Sequence, residues 1–140
     1  MGSRAAIGMV VLGLAALAIG GAAQSPAGSV ALRVTQTGYL KASNPEASDH
    51  FGCGGVLQGH TGRGVALSAD GTTLAVGAPH EASSASGVNG NQRDNSVFDA
   101  GAVYVYTRIG SGWTQQAYLQ ASHPQMSAAF GHHVALSADG

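Results

Sequence analysis

Charged side chains are scarce in this sequence. Asp, Glu, Lys and Arg make up 9% of its 140 residues, against roughly 25% in a typical soluble domain. Six basic residues stand against seven acidic ones, and no run of basic residues occurs. Because nucleic-acid binding needs clustered positive charge, we expect no nucleic-acid partner.

Cysteine is scarcer still, since Cys53 is the only one. A single cysteine excludes an intrachain disulfide framework. His50 and His60 lie near it in sequence, but no third group is present to orient a base for a thiol nucleophile. The G-x-S-x-G motif, the P-loop and the dinucleotide fingerprint are also missing. We therefore predict a non-enzymatic chain with no catalytic residues and no organic cofactor.

The N-terminal segment is almost uncharged. Arg4 precedes a run rich in Ala, Gly, Val and Leu that extends from Ala5 to Ala23 and ends in small residues suited to a signal peptidase. We predict a signal peptide over residues 1–23 and a secreted, periplasmic or cell-surface protein. An uncleaved membrane anchor is the alternative. Residues 24–38 follow as a linker and a first strand.

Glycine, by contrast, is abundant, with 22 residues. The stretch VALSADGTTLAVGAP, Val65 to Pro79, predicts a β-hairpin, because apolar residues alternate on both sides of an Asp-Gly turn. GAVYVYT, Gly101 to Thr107, is the strongest strand pattern. Trp113 to Gln120 is a more polar strand, typical of a sheet edge. Between them, Glu81 to Ala100 predicts a long polar loop.

Two segments of the chain occur twice. VALSADG at Val65 to Gly71 recurs at Val134 to Gly140, and Tyr39 to Gly52 aligns without a gap with Tyr118 to Gly131. Such repeats indicate units that bury their faces against one another. The fold class that we predict is all-β, with blades of four antiparallel strands covered on both faces, as in a β-propeller. The four strands centre on Val65, Leu74, Val103 and Tyr118.

These motifs, in this order, resemble the FG-GAP repeat, the blade unit of integrin α-chain β-propellers and of many bacterial exported proteins. The residues that carry the resemblance are Phe51, Gly52, Asp70, Gly71, Gly77, Ala78, Pro79, Phe130 and Gly131. The resemblance implies a propeller that serves adhesion or binds a protein or carbohydrate. It covers residues 39–140, with one complete blade at about 50–122 and a next blade begun at 130.

The sequence departs from the FG-GAP pattern in two ways. Residues 53–64 form a Gly-rich insertion before the hairpin, which predicts a loop or a broken first strand, or reflects an artefact of the gene sequence. The second departure is length, because residues 39–140 hold one complete blade, whereas a closed ring needs at least about four blades. We therefore expect a fragment of a longer protein, a truncated gene product, or a chain that associates with other copies.

Integrin-type blades often hold Ca²⁺ in an Asp-rich loop, but the matching turn here offers only Asp70. The long loop supplies a weaker alternative set of oxygen ligands: Asn89, Asn91, Asp94, Asn95 and Asp99. A solvated loop without metal is the other interpretation of those residues. The six histidines lack metal-ligand spacing, so we expect them at the surface or in turns.

Our leading hypothesis from the sequence is a non-enzymatic exported binding or adhesion module whose Glu81–Ala100 loop contacts the ligand. The alternatives are the scaffold part of a larger exported hydrolase or lyase, and a truncated gene product without function. The expected partners are a protein or carbohydrate on an extracellular surface, together with the missing blades of the same chain or other copies.

Overall fold

The part of the chain that the structure describes is built of strands and turns. The computed structural model describes residues 9–13, 35–53, 56–57, 60–61 and 63–140, and these contain no helix. Accordingly, none of these residues belongs to a helix that could cross a membrane. The predicted all-β class is thereby confirmed. The strands are β1 Met9–Gly13, β2 Thr35–Leu40, β3 Val56–Leu57, β4 His60–Thr61, β5 Val65–Leu67, β6 Thr73–Ala78, β7 Gly87–Val88, β8 Ala102–Ile109 and β9 Gly112–Gln120.

The largest sheet has five antiparallel strands in the order β5, β6, β8, β9, β7. Its first four strands in that order are the four that the alternation of apolar residues predicted. Strands β5 and β6 pair with Val65 opposite Val76 and Leu67 opposite Leu74. The predicted hairpin is therefore confirmed.

The hairpin turn is fixed by the side chain of Asp70. Its Oδ1 accepts hydrogen bonds from Ser68 Oγ at 2.6 Å and from the backbone N of Thr72 at 3.0 Å. Gly71 follows with φ of 72°, a left-handed conformation that favours glycine. Asp70 is thus a turn former, as the sequence predicted.

One face of the sheet carries a core of aliphatic and tyrosine side chains. Leu74 and Val76 on β6 lie opposite Tyr106 and Tyr104 on β8, and all four are buried. The rest of this core comes from the same two strands, from β9 and from residues 40–51 before the hairpin. Its other members are Leu40, Ala42, Phe51, Ala78, Ala102 and Tyr118. Tyr104 and Tyr106 share this face because alternate side chains of a strand point to the same side of the sheet.

Strand β7 was not predicted. Gly87 and Val88 pair with Gln120 and Leu119, so the C-terminal end of β9 is covered and the sheet gains a fifth strand inside the long loop. Asn89 extends this pairing, because its N donates to Tyr118 O at 2.7 Å and its Oδ1 accepts from Tyr118 N at 2.9 Å. Two residues are too few to show a strand period.

Two small ladders lie outside the main sheet. Strand β1 pairs with β2, and β3 pairs with β4 within the predicted insertion. Most of the predicted signal peptide, and residues 24–34 of the predicted linker and first strand, lie outside the described residues. The signal peptide therefore stays a prediction.

The two segments that contain Phe51-Gly52 and Phe130-Gly131, residues 48–53 and 127–132, are called here the FG segments, and they share one backbone conformation. Ser48, His50 and Gly52 have positive φ in the first copy, as do the three residues at the matching positions of the second. Those residues are Ser127, Ala129 and Gly131. The turn bond from Cys53 N to His50 O, 2.9 Å, recurs as His132 N to Ala129 O, 3.1 Å. The repeat found in the sequence is therefore also a repeat of backbone shape.

The second copy of VALSADG forms no strand, although its first copy forms β5 and the turn. Instead, Val134 N donates to Arg63 O, and Ala69 N donates to Ala138 O, both at 3.0 Å. These two bonds tie the second copy alongside the first.

Candidate functional site

The first FG motif holds the segment before the hairpin on the sheet. The Phe51 ring lies edge-on to Tyr104 and Tyr106, with ring centres 5.3 and 6.3 Å apart, and is 6% exposed. Gly52 N donates to Gly77 O at 2.9 Å. The aromatic contacts and this backbone bond anchor residues 43–52 beside the GAP motif, Gly77-Ala78-Pro79.

The GAP motif lies between the two FG motifs. A Cβ added to Gly77 would stand 1.9 Å from Gly131 O, so only glycine fits there. Gly131, with φ of 83°, in turn packs against Ala102 O. Ala78 and Pro79 are fully buried. Gly77 and Gly131 therefore lie where two stretches of backbone approach closely.

A buried carboxyl group follows the GAP motif. Glu81 is 1% exposed, and both of its oxygens are 3.2 Å from Asn44 Nδ2. Tyr104 OH and Tyr118 OH each donate to Glu81 at 3.3 Å. Tyr104 OH also donates to Asn44 Oδ1 at 2.7 Å. Glu81 thus joins the first repeat segment to β8 and β9.

This environment favours the neutral form of Glu81. Burial, followed by the negative charge of Asp49, raises the pKa of Glu81 from 4.5 to about 7. Burial also raises the pKa values of Tyr104 and Tyr118, followed by the nearby charge of Glu81. The two tyrosines therefore remain hydroxyl donors. Sequence reasoning placed Glu81 at the start of a polar loop and missed its burial.

The structure brings together two histidines whose spacing in sequence gave no signal. His50 and His80 have ring centres 4.3 Å apart. His80 Nδ1 is 2.8 Å from Asp99 Oδ1. Its Nε2 is buried and has no hydrogen-bond partner among the described residues.

The long loop is held in place by polar contacts. Ser83 is fully buried; its Oγ donates to Asn91 O at 3.0 Å, and its O accepts from Gln120 Nε2 at 3.0 Å. Val97 N donates to Ala82 O at 2.8 Å. The segment that the sequence predicted as a loop is therefore ordered against the sheet.

Each side chain proposed for calcium has a separate hydrogen-bond partner. Asn89 Oδ1 accepts from Tyr118 N, and Asn91 Oδ1 accepts from Arg93 N. Asp94 Oδ2 accepts from Ser84 N and Ser96 Oγ, while Asp99 pairs with His80. Asn95 contacts Glu46 through its Nδ2. Among the described residues, no three His, Cys, Asp or Glu side chains are grouped to hold a metal, and the calcium alternative stays a prediction.

An open groove lies between the long loop and the first repeat segment. Its volume is about 420 Å³. Its lining is entirely polar or glycine, and comprises Ser43, Asn44, Gly90, Asn91, Gln92 and Arg93. Asn44 Nδ2 donates to Gln92 O at 2.6 Å, which ties the two sides of the groove together. Ser43 Oγ also donates to Gln92 Oε1. Such an ordered concave surface is suited to holding a polar ligand.

Cys53 is exposed just beyond the first FG motif. It lies after a turn in which its backbone N donates to His50 O. No protein family, curated protein or solved structure matches the chain.

Proposed function

We propose that this chain is a non-enzymatic, exported binding module of the FG-GAP β-propeller type. In this proposal β5, β6, β8 and β9 form one blade, and the Phe130-Gly131 segment begins the contact with the next blade. Further blades belong to the same chain or to other copies. The function is binding or adhesion to a protein or carbohydrate on an extracellular surface.

The observation that carries the binding proposal is the ordered long loop. Its start is anchored by Glu81 and Ser83, both buried, and its middle forms one wall of the groove. Loops held on a rigid scaffold are common sites of recognition, because little conformational entropy is lost when they bind.

The repeat supports the propeller part of the proposal. Phe51 is buried under two tyrosines, whereas Phe130 at the matching position is 36% exposed. The second FG segment therefore has the shape that holds a sheet, while part of its phenylalanine remains uncovered. A following sheet with the same construction would cover it.

The binding proposal is tested with the whole chain on a glycan array and on plates coated with extracellular-matrix proteins. The test variant carries Asn91→Ala, Gln92→Ala and Arg93→Ala together. The control carries Arg108→Ala and Ser111→Ala, two exposed residues at the β8–β9 turn. We expect the control to keep the bound partners of the wild type and the loop variant to lose them. Unchanged binding by the loop variant would remove this loop from the function.

A further inference from the structure

Hydrogen bonds within the protein hold the walls of the groove in place. Asn44 is fixed from below by Tyr104 OH and the Glu81 carboxyl group. It holds Gln92 through the 2.6 Å bond to Gln92 O. Asn91 is fixed from the other side by buried Ser83. Binding a ligand therefore costs these residues little conformational entropy, because the folded protein already holds them in place.

The free polar groups of this wall are donors. Gln92 Oε1 and Asn91 Oδ1 already accept hydrogen bonds. The side-chain N–H groups of Asn91, Gln92 and Arg93 have no partner among the described residues. Excess donors fit a ligand that supplies oxygen acceptors.

Arg93 gives the groove its charge. It is exposed, and the ion pair found among the described residues joins His80 to Asp99 instead. The Asn91 Oδ1 bond to Arg93 N, 3.1 Å, fixes the turn that carries it. A guanidinium pairs best with a planar carboxylate through two parallel hydrogen bonds.

The residues that line the groove restrict the class of ligand further. No apolar or aromatic side chain lines the groove, so an apolar ligand would gain little there. The lining contains a single cationic side chain, that of Arg93, so it offers no cluster of cations for the successive phosphates of a nucleic acid. A ligand that combines hydroxyl groups with a carboxylate would complement the amides, the hydroxyl and the guanidinium that line the groove.

We propose that this groove binds an acidic polysaccharide, with the guanidinium of Arg93 pairing with the carboxylate of a uronic acid and the amides of Asn91 and Gln92 binding its hydroxyls. The inference rests on the proposed binding function and names its ligand class. An acidic peptide presents the same carboxylate without the ring hydroxyls, and it serves as the competing outcome.

The test is isothermal titration calorimetry of the whole chain with oligogalacturonate. The same oligosaccharide with its carboxylates methyl-esterified is the matched probe, and oligo-aspartate is the peptide probe. We expect oligogalacturonate to bind at least about tenfold more tightly than either of the others, since only it offers carboxylate and hydroxyls together. Equal binding of the esterified form, or tighter binding of oligo-aspartate, would overturn the inference.

Variants locate the site. Arg93→Gln keeps polar length but removes the charge, and should weaken oligogalacturonate binding at least about tenfold. Arg108→Gln, an exposed arginine on β8, should bind like the wild type. If Arg93→Gln binds as tightly as the wild type, the proposed pairing is wrong. The wild type could instead fail to bind oligogalacturonate but bind a neutral glycan or a protein, and lose that binding when the loop is mutated. That result would support the proposed binding function and refute only this ligand class.

Discussion

Glu81 is an acidic side chain with no cationic partner among the hydrogen bonds that surround it. Its neighbours are an amide and two hydroxyls, and Asp49, which is 7% exposed, adds negative charge nearby. A buried carboxylate without a cation is costly, whereas a neutral carboxyl group is well accommodated by such partners. The fold therefore favours the protonated form of Glu81.

The stability of the fold should consequently depend on the protonation of Glu81. The pKa of Glu81 is about 7 in the folded protein, whereas its ordinary value, which applies to the unfolded chain, is 4.5. The folded state therefore binds the proton more tightly. The stabilising effect is fully present below pH 4.5 and is lost as the pH rises to about 7. The loss amounts to at most about 3 to 4 kcal/mol, at about 1.4 kcal/mol for each pH unit.

Glu81→Gln should remove this dependence, since a neutral amide replaces the titrating group. Urea denaturation across this pH range should show the free energy of unfolding falling for the wild type and changing less for Glu81→Gln. Glu46→Gln, at an exposed acidic position, is the control and should follow the wild type. A wild-type profile as flat as that of Glu81→Gln would contradict the argument.

At the scale of elements, the main sheet and its connecting segments differ in how far the sequence predicted them. Alternating residues and the Asp-Gly turn predicted β5, β6, β8 and β9, because the period of a strand is a local property. The fifth strand, β7, depends on pairing with β9, which lies far away in sequence. Its two residues carry no local signal of that pairing.

The candidate site was predictable only in outline. The sequence predicted that the Glu81–Ala100 loop contacts the ligand. The burial of Glu81 depends on tyrosines from β8 and β9, and the closeness of His50 and His80 depends on the path of the first FG segment. Both are tertiary contacts between groups distant in sequence, which composition and spacing do not encode.

The close approach at the GAP motif predicts a steric effect. Gly77→Ala would place a methyl group against Gly131 O, and we expect a loss of about 1 to 3 kcal/mol in the free energy of unfolding. Gly112→Ala on β9 is the matched control, because its Cβ would meet nothing closer than 3.8 Å. Urea midpoints compare the two. Equal midpoints would show that the second FG segment does not rest on Gly77 in solution.

The left-handed residues of the second FG segment predict a stabilising change. Ala129 has φ of 50°, which glycine adopts at less cost than alanine. Ala129→Gly should raise the free energy of unfolding by about 1 kcal/mol. Ala128→Gly, at the exposed preceding residue without positive φ, should lower it slightly instead. Thermal unfolding distinguishes these outcomes, and a loss of stability in Ala129→Gly would refute the assigned conformation.

At the scale of the whole molecule, exposed apolar side chains gather beside the second FG segment. Ser127 N donates to Phe98 O, and Phe130 N donates to Ala100 O, which aligns this segment with the end of the long loop. Phe98 is 64% exposed, Met126 71% and Phe130 36%. Clustered apolar groups at the surface mark places of association.

We therefore expect the whole chain to self-associate as its concentration rises. Combined Phe98→Ser, Met126→Ser and Phe130→Ser should shift the distribution in sedimentation velocity towards the monomer. Ile109→Ser, which removes an apolar side chain that is 69% exposed at the β8–β9 turn, should leave association unchanged. A wild-type chain that stays monomeric throughout would contradict this expectation.

The shared backbone shape of the two FG segments has a consequence for how such repeats diverge in evolution. Their form is set by left-handed dihedral angles at alternate positions and by main-chain hydrogen bonds, and Ala129 stands where the first copy has His50. Side chains at such positions are free to change while the backbone path persists. Over generations, residue identity between units of this kind should fade before their geometry does. A search keyed to the alternation of dihedral signs should therefore find relatives that a search by residue identity misses.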